Sequence, residues 1–147
     1  VKIFQAKVDD IPRAAPLFVQ YREFYQVPAE PAAAEAFLRE RCARQESVLF
    51  LAENEAGELL GFAHLYPLFC SLELKPIWLL YDLFVAPSAR KQGVAQALLA
   101  RADDHGRATG AAFLMLSTAT DNLGAQALYE QHGYHRDLDF YSYNKLL

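Results

Sequence analysis

The stretch Leu83-Phe84-Val85-Ala86-Pro87-Ser88-Ala89-Arg90-Lys91-Gln92-Gly93-Val94-Ala95 reads as an apolar strand, a short polar loop and a helix start. Main-chain N–H groups at such a junction point outward without partners, and the helix dipole favours an anion in front of them. Arg90 and Lys91 add positive charge, Gly93 lets a phosphate approach the backbone, and Ala95 is nearly as small. This suits a diphosphate; a plain helix start with a basic surface is the other reading of the same residues. The loop lacks the Gly-Lys-Ser/Thr ending of a P-loop and the spacing of the dinucleotide fingerprint, which makes ATP and NAD poor candidates.

A second set of residues lies downstream. Asn122 and Tyr129 are two helical turns apart, so their side chains share a face about 10 Å apart along the axis, with small Ala125 between them. An extended ligand fits against that face, and so does the plainer reading of a capping asparagine and an amphipathic tyrosine. Asp82 interrupts the otherwise nearly apolar run Ile77 to Val85, either for a structural hydrogen bond or to hold a cation. Tyr21-Arg22-Glu23-Phe24-Tyr25 mixes aromatics and charges in a way that suits a core edge or the wall of a cleft. The histidines His64, His105, His132 and His135 show no metal-ligand spacing, so no metal is expected. Cys42 and Cys70 are too few for a disulfide framework and read as reduced packing residues.

The elements that must position these side chains are given by periodicity. Val1 to Ala6 reads as a strand, and Asp9 or Asp10 caps a helix whose inward stripe is Ile11, Ala14, Ala15, Phe18, Tyr21 and Tyr25. Pro31 opens a second helix that runs to about Arg44. Strands at Val48 to Ala52 and Leu59 to Tyr66 flank a turn at Asn54 to Gly57, and Pro67 to Pro76 reads as an irregular connection. After the central strand Ile77 to Val85 come a helix packed through Leu98, Leu99 and Ala102, a strand Phe113 to Ser117, and a last helix closed by Gly133. Segments around Tyr134 and from Phe140 to Lys145 read as two final strands. The expected fold is a single three-layer α/β domain over residues 1–147, with a mixed, mostly antiparallel sheet of six to seven strands and helices on both faces.

A chain of 147 residues with 53% hydrophobic content is long enough to bury a sizeable core. A net charge of −4 argues against nucleic acid as a partner and is compatible with a cationic substrate. No run of apolar residues is long enough to span a bilayer, so no membrane partner and a cytoplasmic location are expected.

Arg90-x-x-Gly93-x-Ala95 after a strand ending in Leu-Phe-Val resembles the acetyl-CoA pyrophosphate loop of the GNAT superfamily of N-acetyltransferases. Asn122-x-x-Ala125-x-x-Leu128-Tyr129-x-x-x-Gly133-Tyr134 is similar to its second cofactor motif. The resemblance covers Ile77 to Tyr134 by motif, and the N-terminal half by the order of strands and helices. It implies acetyl-CoA as cosubstrate, with its diphosphate on Arg90, Lys91, Gln92, Gly93, Val94 and Ala95. It further implies a pantetheine arm pairing with the strand at Leu83, Phe84 and Val85, and a main-chain N–H near Phe84 for the developing oxyanion. Asn122 and Ala125 then lie along the pantetheine, and Tyr129 reaches the thioester end to assist the departing thiolate.

Within the superfamily, the residues Tyr81 to Val85 and Tyr21 to Tyr25 look most like the diamine/polyamine and histone-like branch. Asp82 matches the second of two adjacent acids there, Tyr81 occupies the place of the first, and Leu79 stands where protein-lysine acetyltransferases carry a glutamate. The implied activity is transfer of an acetyl group to the primary amine of a small molecule by direct attack. Asp82 meets the amine, and Tyr81, Tyr25, Glu23, His64 and Tyr66 line the acceptor. The alternatives are a protein-lysine or N-terminal acetyltransferase and, in another class, a non-catalytic acyl-CoA-binding sensor. A homodimer is expected by analogy.

Overall fold

The computed structural model describes residues 1–147. Strands β1 (Lys2–Gln5), β2 (Val48–Glu53), β3 (Leu59–Cys70), β4 (Lys75–Val85) and β5 (Leu114–Met115) lie side by side in that order. The first three pairings are antiparallel and the last is parallel. The helices are α1 (Ile11–Phe24), α2 (Pro31–Ala43), α3 (Val94–Ala108) and α4 (Leu123–Gln131). Proline stands in the first turn of both α1 and α2, where its missing N–H costs nothing.

Alternation along β2 sets the layers. Leu49 and Leu51 pack with Ile11, Ala14, Leu17 and Phe18 of α1 and Ala34 and Leu38 of α2. Phe50 points the other way and meets His105 of α3, ring centroids 5.4 Å apart. Helices therefore cover both faces of the sheet, and the mixed, mostly antiparallel order is the one expected from the sequence. No helix is long and apolar enough to cross a membrane.

Three expectations are corrected. The sheet has five strands, not six to seven. The segments at Tyr134 and Phe140 to Lys145 form no strand: Asp137 Oδ1 accepts from the amides of Asp139 and Phe140, which folds the chain locally, and neither segment joins the sheet. The connection from Pro67 to Pro76 is not irregular but the end of a long hairpin. Tyr66 pairs with Leu79, Pro67 with Trp78 and Cys70 with Lys75, so both prolines sit inside paired strands.

The chain divides into two compact units, Val1–Ser117 and Thr118–Leu147. The first holds the whole sheet with α1, α2 and α3. In the second, α4 begins where Asn122 Oδ1 accepts from the amide of Ala125 at 3.1 Å. It ends at Gly133, whose φ of 93° lets the Tyr134 amide turn back to the Tyr129 carbonyl at 2.9 Å.

His105 yields a stability prediction. Its ring lies against Phe50 and Trp78, its Nε2 is buried with no hydrogen-bond partner, and burial, then Arg101, lowers its pKa below the ordinary 6.5. The unfolded chain therefore binds the imidazole proton more readily, and stability falls as pH drops through 6.5 and below. His105→Phe is expected to flatten the melting temperature between pH 7 and pH 5.5, read by calorimetry against the wild-type decline.

Candidate functional site

The site starts from an incomplete pairing. β5 pairs with β4 only at Trp78 and Leu79, so the remaining six residues of β4, Leu80 to Val85, have a free edge on that side. A register shift lies opposite His64 and Leu65, which pair with Asp82 and Leu80 and leave Tyr81 as the extra residue. That bulge reverses which residues face each neighbour. Before it, the Trp78 amide points to β5 and donates to the Phe113 carbonyl. After it, the Ala86 amide points to β3 and donates to the Leu60 carbonyl. By alternation the amides and carbonyls of Leu83 and Val85 face the free edge, whereas those of Phe84 face β3. The Phe84 carbonyl in fact lies so near Gly61 that an added Cβ there would come within 2.6 Å of it.

β4 leads through a single 3₁₀ turn, Pro87–Ala89, into the loop that opens α3. Lys91 has φ 61° and Gly93 φ 82°, left-handed positions that turn the loop back on itself; Gly93 is the N-cap. The amides of residues 91–96 have no acceptor within the protein, which leaves six consecutive donors around the positive end of a fifteen-residue helix. Arg90 is partly committed, its Nε donating to the Val85 carbonyl at 3.0 Å and its guanidinium lying between the rings of Phe24 and Phe84. Gln92 ties its amide to the Ser88 carbonyl.

Beside this edge, on the face covered by α1 and α2, runs a buried chain of polar side chains. Asp82 is 5% exposed and His64 only 1%. His64 Nδ1 is 3.0 Å from Asp82 Oδ2, and its Nε2 is 2.8 Å from Ser47 Oγ. A carboxylate can only accept, so Nδ1 carries the proton; in the neutral ring Nε2 takes the hydroxyl hydrogen of Ser47. Tyr21 approaches Asp82 from the α1 side. Burial, then the charge of Asp82 and hydrogen bonding toward it, raises the Tyr21 pKa far above the usual phenol value, so the hydroxyl stays protonated at neutral pH. Tyr66 is raised as well, by burial and then by Asp82, with Arg41 opposing.

Around Asp82 the tyrosines converge. Tyr21 stands edge-on to Tyr25 at 5.1 Å, Tyr66 lies 4.6 Å from the His64 ring, and Tyr81 meets Tyr66 at 5.6 Å. The bulge is what brings Tyr81 and Asp82 to the same side. Of the expected acceptor residues, Asp82, Tyr81, Tyr25 and Tyr66 gather here. His64 is sealed behind the acid with both ring nitrogens engaged; its free surface lines a separate cavity of about 420 Å³ with Ser47, Lys7, Cys42 and Gln45. Glu23 is exposed and, two residues beyond Tyr21, points about 200° around the helix, away from the Tyr21 and Tyr25 stripe. Phe84 is buried under Tyr21 with its amide turned to β3, so the edge donors are Leu83 and Val85. No sequence motif marks Tyr21 or Ser47 as functional. Tyr21 belongs to the inward helical stripe and on that pattern reads as core.

Residues 15–134 match the model of the acetyltransferase (GNAT) family. The chain belongs to the GNAT acetyltransferase family. It is 47% identical over 143 residues to an uncharacterised N-acetyltransferase, YhfO, of Bacillus subtilis, covering 97% of this chain and 95% of that protein. A crystal structure described as a probable acetyltransferase superposes with a TM-score of 0.96 at 42% identity, covering 100% of this chain and 98% of the other. AAC(6')-Iy, solved in complex with the bisubstrate analogue CoA-S-monomethyl-acetylneamine, has a TM-score of 0.81, covering 99% and 98% of the two chains. At 23% identity it shows the shared fold alone. This GNAT chain is an acetyl-CoA-dependent acyltransferase, and its free β4 edge and amide-rich α3 start fit an extended, diphosphate-bearing cosubstrate.

Removing the Tyr21 hydroxyl tests the buried chain. Tyr21→Phe removes the hydroxyl that faces the buried Asp82, and is expected to lower the unfolding free energy by about 1–3 kcal/mol in urea titration.

Proposed function

We propose that the protein moves an acetyl group from acetyl-CoA to the primary amine of a small molecule, by direct attack in a ternary complex. Residues 1–147 act as one acetyltransferase domain, in the cytoplasm and as a homodimer, nearest in motif to the diamine/polyamine and histone-like branch. The observation that carries the reading is the combination of two sets of unpaired backbone donors, Leu83 and Val85 on the free β4 edge and residues 91–96 at the start of α3. An amide-bearing arm adds along Leu83 and Val85 as a strand would, and a diphosphate sits against residues 91–96. Arg90, Lys91 and Gln92 supply charge and polar contacts there, while Gly93, Val94 and Ala95 offer bare backbone. Asn122 and Ala125 are assigned to the same arm by their motif.

An alkylamine with a pKa near ~10.4 arrives as its ammonium and must lose a proton. The ammonium proton passes to the Tyr21 oxygen as the Tyr21 hydrogen moves to Asp82. His64 and Ser47 hold that carboxylate in place. The free amine attacks the thioester carbonyl, and the Leu83 amide, facing the edge, binds the oxygen as negative charge develops on it. When the C–S bond breaks, Tyr129 gives its hydroxyl hydrogen to the thiolate and regains one from the nitrogen that has become an amide. The acetyl group never rests on the enzyme, so no nucleophilic side chain is needed.

Amine-dependent release of CoA thiol from acetyl-CoA is the direct test. Release with amines supports the proposal; release with peptides alone replaces it with protein acetylation, and tight acetyl-CoA binding without release replaces it with a sensor. Tyr129→Phe is expected to lower kcat by about 100-fold or more and leave acetyl-CoA affinity unchanged by calorimetry. Asp82→Asn is expected to raise the amine KM and lower kcat together.

A further inference from the structure

The acceptor surface has more rings than charges. Tyr21, Tyr25, Tyr66 and Tyr81 surround Asp82, and Phe24 extends the wall at 5.2 Å from Tyr25. Tyr25 and Tyr81 are 51% and 63% exposed, and with Phe24 and Tyr66 they form a run of ring contacts open to water on one side of Asp82. The charges are sparse. Asp82 is the carboxylate whose charge raises both Tyr21 and Tyr66, and Arg41 opposes it at Tyr66. Glu23 faces away, and Glu40 and Glu46 are paired with Arg41. Tyr81 itself stands beside Asp82 where a second acid would double the charge.

Resting on the acetyltransferase reading, we propose that the acceptor is a monoamine with an apolar, ring-sized body, not a polyamine or another polycation. One ammonium finds Asp82 behind Tyr21, and the faces of Tyr66 and Tyr81 attract it through their ring quadrupoles. The body covers Tyr25, Phe24 and Tyr81, which are otherwise in water. A second ammonium a few carbons away finds no carboxylate among the rings around Asp82, and the carboxylates of Glu40 and Glu46 are already matched with Arg41, so an additional charge gains no handle.

The test is CoA thiol release with phenethylamine, spermidine and kanamycin as acceptors, alongside a mixture of lysine-bearing peptides. The expected result is a kcat/KM for phenethylamine at least tenfold above that for spermidine or kanamycin. Tyr81→Ser is expected to raise the phenethylamine KM at least fivefold while the acetyl-CoA KM stays put, and Tyr81→Phe to restore it, which a purely structural role for Tyr81 does not produce. Equal or better turnover of spermidine or kanamycin overturns the monoamine assignment and leaves acetyl transfer intact, as does acetylation of the peptides only. No release with any acceptor overturns the acetyltransferase reading together with this one.

Discussion

A strand in the middle of a sheet that is hydrogen-bonded on one side only is the constraint on which the site depends. Backbone N–H and C=O groups demand partners, and an uncovered edge invites the wrong ones. β4 keeps its edge free over Leu80–Val85 because β5 pairs with only two of its residues. The Arg90 guanidinium caps the last carbonyl of that edge, at Val85. What is left is a short edge that an extended chain with alternating donors and acceptors completes. It runs directly into the amides that open α3, so one ligand meets a strand edge and a helix terminus in succession.

The bulge at Tyr81 joins this edge to the acceptor chemistry. One extra residue reverses the backbone alternation, which turns the Leu83 and Val85 groups outward, and it sets Tyr81 and Asp82 on the same face. A buried acid is costly unless its hydrogen bonds are met. Here His64 meets Asp82 and is in turn met by Ser47, and the Tyr21 hydroxyl faces the acid from α1. Those partners come from β3, α1 and the residue just before β2, so the position of Asp82 is determined by the packing of three separate parts of the chain. Gly61 belongs to the same logic, since the bare backbone of β3 is what lets the Phe84 carbonyl approach.

The features legible in the sequence and those hidden from it divide along physical lines. The order of elements, the helix starts at Pro31 and Val94 and the stop at Gly133 come from local rules, and local rules are written in consecutive residues. The loop from Arg90 to Ala95 is legible for the same reason. Pro67 and Pro76 mislead because a proline breaks a strand only where its N–H is needed, which depends on the neighbour. The final strands mislead because alternating apolar residues meet a strand's requirements without supplying a partner. The acceptor residues are half legible: Asp82 stands out as an acid in an apolar run, but its partners are 18 and 61 positions away in the chain, at His64 and Tyr21. His64 draws notice for the right strand, and only the register shows that it supports the acid from behind.

The same division explains why likeness of fold leaves the acceptor open. The strand edge and the helix start are backbone features, and a backbone site survives almost any change of side chain. The fold that builds them is accordingly shared with AAC(6')-Iy, at a TM-score of 0.81 and 23% identity. The rings around Asp82 are side chains at the end of α1 and on the β3–β4 hairpin, where substitution changes charge and shape without disturbing the sheet. At the bulge, Tyr81 places a ring where an acid would place a unit of negative charge. What distinguishes this chain within the fold is therefore found in the side chains around the bulge, because the strand edge and the helix start are built from backbone.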